Sequence, residues 1–430
     1  MNPSDNNQKR RPFHEFFTES ENVIPGQGRK DIFKGMDDFY GYLSEAISSG
    51  QYAFRRTLTQ GTAAHTEIID IDGNKKNVIM MGSNNYLDFA NDPEVKKASI
   101  DALEKFGYGS GSVALLGGTF EIHRQLESQI ADFYSRERSA IFPTGFSANV
   151  GTISALAKEG DLILVDMYAH ASLVDGTKLT QATVKFFKHN DMEHLEKQLA
   201  RIRDKFNGCL IITDGVFSMD GDLCKLPELL VIKEKYQARL LIDEAHGVGI
   251  VGKNGRGTEE YFNQIGKVDI ITGTLSKAPA GLGGYVVGSA PMVEKVRHFA
   301  SSYIFSTSLP PAVVGGLCKV FEKMKNDLSR MHKLHQNVTH FTSKLRSLGF
   351  NLGESSTAIV PVIIGNEELT MTMAKELAAN GIFTSAVVFP AVSKTQSRLR
   401  VSLMSGHSTD DLNRVLQLLE SMGRHYGVIK

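Results

Sequence analysis

The feature that most restricts the fold of this chain is a rhythm in its middle. Short apolar runs recur at Ile141-Phe142, Leu162-Ile163-Leu164-Val165, Val184-Lys185-Phe186-Phe187, Leu210-Ile211-Ile212, Leu240-Leu241-Ile242 and Ile270-Ile271, and helical periodicity separates most of them. That alternation predicts an α/β fold: a mostly parallel central sheet with helices on both faces. Such a sheet binds its ligands in the crevice beyond the carboxyl ends of its strands. The residues that follow these runs are therefore where chemistry is expected.

The flanks read differently. Met1 to about Gly35 is a polar arm rich in Asn, Gln, Lys, Arg and Gly, followed by an amphipathic helix over Asp37 to Ser49 that carries Phe39, Leu43 and Ile47 at steps of four. Ile68 to Asn74 reads as a strand and tight turn, with Val78 to Met81 returning, and Val95 to Lys105 as a helix ended by Gly107. Beyond Pro310-Pro311 the pattern predicts a long helical stretch from about Ala312 to Leu348, then strands Ile359 to Ile364 and Arg398 to Ser402. A last helix is capped by Ser408 or Thr409 and carries Leu412, Val415, Leu416 and Leu419 on one face. The expected division is an N-terminal arm and small segment over 1–90, a large domain over 91–310 and a smaller C-terminal α+β domain over 311–430.

Composition removes several function classes. The 430 residues carry 48 Lys plus Arg and 48 Asp plus Glu, so the basic field of a nucleic-acid binder is missing. Cys209, Cys224 and Cys318 lack CxxC spacing, which suits a reducing compartment and makes the cytoplasm the expected location. Arg10-Arg11 leads into Pro12-Phe13-His14 rather than an apolar run, so no signal peptide is read. No stretch approaches the roughly twenty apolar residues of a membrane span, although contact with a membrane surface stays open. There is no His-Glu-x-x-His, paired-cysteine cluster or Walker lysine, so no metal site is expected. Gly109 to Ala114 superficially fits a dinucleotide fingerprint, but it follows a helix rather than a strand.

Two strand ends carry the strongest chemical signal. Asp243 closes Leu240-Leu241-Ile242 at the carboxyl edge of the expected sheet, where its charge could pair with a protonated pyridine nitrogen. It could equally cap the following turn. Lys277 lies in Thr274-Leu275-Ser276-Lys277-Ala278-Pro279-Ala280-Gly281, a setting of small residues that gives a ring room to approach the backbone. A lysine there can hold an aldehyde cofactor as a Schiff base, and together with Asp243 it points to pyridoxal 5'-phosphate (PLP). Its plain alternative is a solvated loop lysine. Thr274 could bind the cofactor phosphate and His246 its phenolic oxygen. Thr144-Gly145-Phe146-Ser147-Ala148-Asn149 opens a helix after Ile141-Phe142, so its free amides form an anion site. His170, in a loop beyond Leu162 to Val165, could stack on the pyridine face.

Taken together these motifs resemble the α-oxoamine synthases of the fold-type I PLP enzymes. The resemblance spans about Ile68 to Leu419, through Gly82-Ser83-Asn84-Asn85-Tyr86-Leu87, His170-Ala171-Ser172, Asp214 to Asp222, Asp243 to Gly247, Thr274 to Lys277, Ser306 to Pro311 and Arg398-Leu399-Arg400. It implies that Lys277 binds the cofactor and acts as the base, that Asp243 pairs with the pyridine nitrogen and that His170 stacks on the ring. It also implies that His246 and Ser218 contact the phenolic oxygen. Gly145, Phe146 and Thr274 would hold the phosphate, with Ser306 or Thr307 reaching it from the other subunit of a homodimer. Asn84 and Arg400 would fix the amino-acid carboxylate, for which a planar guanidinium is suited.

The implied reaction joins a small amino acid to an acyl thioester, delivered on CoA or a carrier protein, with loss of carbon dioxide. Val360 to Gly365 and Ala386 to Val392 look similar to bacterial serine palmitoyltransferases, which favours a long-chain base as product. Cysteate as the amino acid, 8-amino-7-oxononanoate synthesis and glycine acetylation are the other substrate choices. A fold-type I aminotransferase and a catalytically silent partner subunit are alternatives of other kinds; the presence of Lys277 counts against the latter. One departure stands out, since Val113-Ala114-Leu115-Leu116 occupies a region where many relatives have an arginine. Arg55 and Arg56 could meet the phosphates of CoA or simply be solvated.

Overall fold

A computed structural model describes residues 31–33, 35–48, 55–70 and 73–430. Most of the polar arm, and Ile71 and Asp72 of the expected turn, lie outside the described residues. The helix carrying Phe39, Leu43 and Ile47 forms over Met36–Ser48 and buries none of its residues.

The strands are β1 (Thr57–Leu58), β2 (His65–Ile69), β3 (Lys75–Met80), β4 (Arg138–Phe142), β5 (Leu162–Asp166), β6 (Thr183–Phe187) and β7 (Cys209–Asp214), followed by β8 (Arg239–Asp243), β9 (Ile270–Thr274), β10 (Gly284–Gly288), β11 (Ile359–Ile363), β12 (Ile382–Phe383), β13 (Ser385–Val387) and β14 (Arg398–Ser402). Seven of them build the central sheet in the order β4-β10-β9-β8-β7-β5-β6. β6, β5, β7, β8 and β9 run parallel, whereas β10 runs antiparallel to both β9 and β4. The mostly parallel sheet is as expected, and β10 is an addition. Its apolar centre, Tyr285-Val286-Val287, is only three residues long between Gly284 and Gly288, so glycines at both ends conceal the strand in the sequence.

Alternation along each strand explains the layers. Leu162 and Leu164 pack into one hydrophobic core while Ile163 and Val165 pack into another, and Leu240 and Ile242 are divided from Leu241 in the same way. Successive side chains point to opposite faces, so a strand apolar at every position needs cover on both sides. Helix Gly145–Leu156 packs on β9 and β10, and helix Glu121–Phe133 packs on β4 and β10. The first belongs to the core of Ile163 and the second to that of Leu162.

The expected long C-terminal helix is two, Pro311–Asn326 and Ser329–Ser347. Asp327 adopts extended backbone angles, and its carboxylate accepts the Ser329 N–H at 2.9 Å, a local bond that competes with helix continuation. Helix Pro311–Asn326 lies close against Pro93–Phe106, and a Cβ on Gly315 would fall 2.7 Å from the Ala98 carbonyl oxygen.

Two smaller sheets complete the frame. β12 pairs in parallel with β3, aligning Ile382 with Ile79, and thereby joins the N-terminal strands to the C-terminal part of the chain. β11, β14 and β13 form an antiparallel sheet whose central strand, β14, carries Arg398 and Arg400. The final helix, Thr409–His425, is capped by Ser408, whose hydroxyl accepts the Asp411 N–H at 3.1 Å. Among the described residues no helix is long and apolar enough to cross a membrane.

Candidate active site

The carboxyl ends of β7 and β8 place two carboxylates side by side, since Asp214 and Asp243 are partners in register. Both are buried. Asp243 Oδ1 accepts the Ala245 N–H at 2.7 Å, and Oδ2 accepts a hydrogen from Asn149 Nδ2 at 2.6 Å. Asp214 Oδ2 accepts the His170 N–H at 2.9 Å. Burial and the Asp243 charge hold the Asp214 carboxyl well above the usual carboxylate range.

Asn149 also orients His170, through Ser172. Its Nδ2 donates to Ser172 Oγ at 2.8 Å, and Ser172 Oγ lies 2.7 Å from His170 Nδ1. The Ser172 N–H also points at His170 Nδ1, at 3.3 Å, so Nδ1 is the acceptor and the neutral ring carries its proton on Nε2. Burial keeps the His170 pKa below its ordinary value. The ring stands at the exposed rim of the site, held from behind by a chain that begins on Asp243.

A second chain runs from Lys277 to Arg400. Lys277 Nζ is 2.8 Å from His246 Nε2, His246 Nδ1 is 2.8 Å from the Tyr86 hydroxyl, and that hydroxyl donates to Asn84 Oδ1 at 3.2 Å. Arg400 Nη1 donates to the same Asn84 oxygen at 3.2 Å. Because arginine only donates, the Asn84 atom must be its carbonyl oxygen. The Tyr86 proton therefore points at Asn84, His246 Nδ1–H donates to Tyr86, and His246 Nε2 accepts from Lys277.

Electrostatics agree with this assignment. Burial, helped by the charges of Lys277 and Arg400, pushes the His246 pKa well below the usual histidine range, so the ring is neutral. Burial also pushes the Lys277 ammonium down; Asp243 and Asp214 pull it partway back, and it stands at about 8. A lysine at that value has a reactive free amine near neutral pH.

Arg400 is buried and rigidly held. Nε donates to the Ser218 carbonyl at 2.6 Å and Nη1 to Ser402 Oγ at 2.8 Å. The bonds to Ser218, Ser402 and Asn84 use Nε and Nη1 rather than Nη2. Arg398 instead bonds the Met219 carbonyl and Asp220 Oδ1, at 3.0 and 2.7 Å, and so fixes the segment that presents Ser218.

The anion site expected from the sequence falls where helix Gly145–Leu156 starts. Thr144 caps it, accepting the Ser147 N–H at 3.0 Å, and a Cβ on Gly145 would fall 2.8 Å from Thr274 Cβ. Only glycine allows the helix terminus to approach the end of β9 so closely. Thr274 Oγ1 is 2.8 Å from Ser276 Oγ, so amides and hydroxyls converge on one place. Phe146 is half exposed beside it.

The structure thus brings together Lys277, His246, Asn84 and Arg400 in one chain and His170 and Asp243 in another, with Ser218 beside Arg400 and Gly145 beside Thr274. Ser306 and Thr307 lie elsewhere in the same chain, lining a small cavity with Ala114, His123 and Phe142. Thr307 there forms a β-bridge with Val113. Arg55 is exposed and Arg56 half-buried at the head of β1. Tyr86 and Asp214 belong to motifs legible in the sequence but gain roles only here. Asn149, Ser172 and Ser276 are connectors whose partners are distant or local in ways that spacing does not reveal.

Comparison with known proteins gives a consistent picture. The family model described as Aminotransferase class I and II matches residues 76–419. An 8-amino-7-oxononanoate synthase from Alkaliphilus metalliredigens is 44% identical over 356 residues, covering 83% of this chain and 90% of that protein. Among solved structures, a lysine-to-alanine variant of serine palmitoyltransferase from S. paucimobilis with a bound PLP–myriocin aldimine has a TM-score of 0.87 at 33% identity, covering 93% of this chain and 100% of that one. An 8-amino-7-oxononanoate synthase from Francisella tularensis has a TM-score of 0.69 at 29% identity, covering 81% and 98%.

Proposed function

Since the chain belongs to the aminotransferase class I and II family, and within it to the PLP-dependent α-oxoamine synthases, we propose that it condenses a small L-amino acid with an acyl thioester, releasing carbon dioxide and a thiol and leaving an α-amino ketone. The single observation that carries this reading is the chain from Lys277 through His246, Tyr86 and Asn84 to Arg400, lying beside Asp243. It links an amine able to accept a proton to a guanidinium able to hold a carboxylate.

The residues fit PLP. Gly145, Phe146, Thr274 and Ser276 form the phosphate cradle, Lys277 offers an amine for the aldehyde, and Asp243 offers a buried charge for the ring nitrogen. Bound PLP supplies an electron sink for the charge that develops on the amino-acid α-carbon. The protein does the rest. Asp243 keeps its charge aimed by bonds from Asn149 and Ala245, His170 offers a fixed flat face, and His246 and Ser218 stand where a phenolic oxygen would lie. Arg400 and Asn84 orient the substrate carboxylate, which is the group lost. Lys277 removes and returns the α-proton, for which a pKa of about 8 is well placed. Across the reaction the α-carbon gains a bond to the acyl carbon as the C–S bond breaks, and a proton replaces the carboxylate.

We read the acyl group as long and apolar. Val113-Ala114-Leu115-Leu116 offers no cation for the far end of a dicarboxylic chain, and Leu116 is 81% exposed. The relatives named 8-amino-7-oxononanoate synthase support a second reading, with alanine and a dicarboxylic acyl group. Serine is the first choice of amino acid on the first reading, with cysteate as its sulfonated counterpart. The working unit is a homodimer in the cytoplasm. Exposed Tyr108, Leu116 and Phe305, near the bridge between Val113 and Thr307, support an apolar contact with a second copy, through which Ser306 or Thr307 would reach the partner's phosphate cradle.

The test is to titrate the holoenzyme with glycine, alanine, serine and cysteate while following the cofactor absorbance, then to add palmitoyl and pimeloyl thioesters and measure carbon dioxide and free thiol. An accepted pair releases both in equal amounts. Amino-group exchange without carbon dioxide identifies an aminotransferase instead, and no absorbance response to any of the four removes these substrate assignments.

A further inference from the structure

Beyond the groups that would meet substrate or cofactor, one imidazole joins two loops of the site. His189 follows β6, on the edge of the sheet remote from Lys277 in sequence and strand order. Its Nδ1 lies 3.1 Å from Asp166 Oδ1 and its Nε2 lies 2.9 Å from Asp222 Oδ2. Both carboxylates are acceptors, so the ring satisfies both only as an imidazolium. Burial opposes that charge, yet the hydrogen bonds that the ring donates to Asp166 and Asp222 overcome it and push the pKa up to about 9. The ring is also stacked on Tyr168, with centroids 4.5 Å apart, and meets the edge of Phe217 at 4.3 Å.

The partners of His189 flank functional residues. Asp166 ends β5, accepts the Tyr168 N–H at 2.8 Å and starts the loop that ends in His170. Phe217 and Asp222 bracket Ser218, whose carbonyl holds Arg400, and Asp220, whose carboxylate holds Arg398. Asn190 repeats the bridge, donating its backbone N–H to Asp166 Oδ2 at 2.9 Å and its Nδ2 to Asp222 Oδ2 at 2.9 Å. Asp222 Oδ1 is buried without a hydrogen-bond partner, so this carboxylate depends on His189 and Asn190 alone among the described residues.

We propose that His189 is a positioning residue, a charged clamp that sets the distance between the loop presenting His170 and the loop presenting Ser218, whose carbonyl holds Arg400 of β14, and thereby sets affinity for the cofactor and for the amino-acid carboxylate. This rests on the reading of His170 and Arg400 given above. A ligand gripped between two loops is sensitive to their spacing, because displacements near 1 Å can cost on the order of a hundredfold.

The experiment uses the full chain as His189→Gln and, separately, Asp222→Asn, which keeps an acceptor for His189 but removes one of its two charges. PLP affinity is read by equilibrium dialysis, amino-acid affinity by absorbance titration, and folding by thermal melting of the cofactor-free protein. His189→Gln is expected to weaken both affinities by about tenfold or more, with Asp222→Asn moving them the same way by less. Should His189→Gln not fold, the shift in Asp222→Asn decides. Variants that melt earlier but bind PLP and amino acid like the parent overturn the clamp and leave a merely structural pair. A parent protein that binds no PLP overturns the functional reading instead, so the two failures are distinct.

Discussion

The two ends of the seven-stranded sheet are made by the same strands, yet they hold charge in opposite ways. At the carboxyl end Asp166, Asp214, Asp243 and Thr274 close β5, β7, β8 and β9, and the carboxyl of Asp214 is forced upward while the Lys277 amine is forced down to about 8. At the amino end lies a groove of about 910 Å³, lined by residues such as Arg136, Lys233, Arg239 and Asp269. There three of the lining cations are matched. Lys233 Nζ lies 2.9 Å and Arg239 Nη1 2.6 Å from the Asp269 carboxylate, and Arg136 pairs with Glu259 at 2.6 Å. Volume alone does not mark a site. What distinguishes the carboxyl end is that its donors and acceptors converge and perturb one another, as chemistry requires.

The sharpest way to break this contrast is to remove the amine. Lys277→Ala should lower turnover on the order of a thousandfold or more, since the proposed covalent anchor and the proposed base are both lost. The check is product and carbon dioxide release at saturating substrates; more than a hundredth of the parent rate would falsify the assignment. Asp243→Asn keeps the size and much of the hydrogen bonding but removes the charge. A loss of roughly a hundredfold to a thousandfold is expected. PLP binding should survive better than turnover, and a variant that loses only PLP affinity would assign Asp243 to holding rather than activating.

The lowered lysine gives a pH test with a definite sign. In the proposed role of Lys277 the neutral amine is the nucleophile toward the PLP aldehyde, so its fraction, and the rate of cofactor capture by cofactor-free protein, should rise with pH. The rise should centre near 8 and level off above it. An ordinary lysine would still be rising near its unperturbed value of about 10.4. Stopped-flow absorbance at several pH values reads the midpoint directly, and a midpoint near that ordinary value would mean that burial at the sheet edge is not felt.

How much of this was legible depends on whether the signal was local. Every expected strand of the central sheet formed, because a run such as Leu162 to Val165 announces burial on both faces by itself. Lys277, Asp243 and His246 could be singled out because each lies just after such a strand. β10 was hidden because its signal is three apolar residues between glycines, and the break at Asp327 because one side chain's bond to Ser329 outweighed a favourable helical pattern. The connectors escaped for a different reason. Asn149 reaches Asp243 across 94 positions, and Tyr86 reaches His246 across 160. No periodicity encodes a contact between positions so far apart. Such pairs are fixed by strand order, which the sequence pattern specifies only as a class.

The smallest effects belong to the amino end, and they test the comparison from its quiet side. Lys233→Met leaves the partly buried Asp269 with the exposed Arg239 as its one remaining cation beside the Leu240 N–H, so a stability loss of about 1–3 kcal/mol is expected. Arg239→Ala removes a partner that is 75% exposed, so less than about 1 kcal/mol should follow. Both should leave kcat and KM within about twofold when assayed well below Tm, because additivity holds for sites without shared partners. Thermal melting and steady-state kinetics on the same preparations separate the two quantities. A fall in kcat with unchanged Tm would show that charge at the amino end is felt across the length of the strands. The matched pairs there would then be part of the machinery that holds Asp214 and Asp243 in place, and the division of the sheet into a working end and a supporting end would no longer stand.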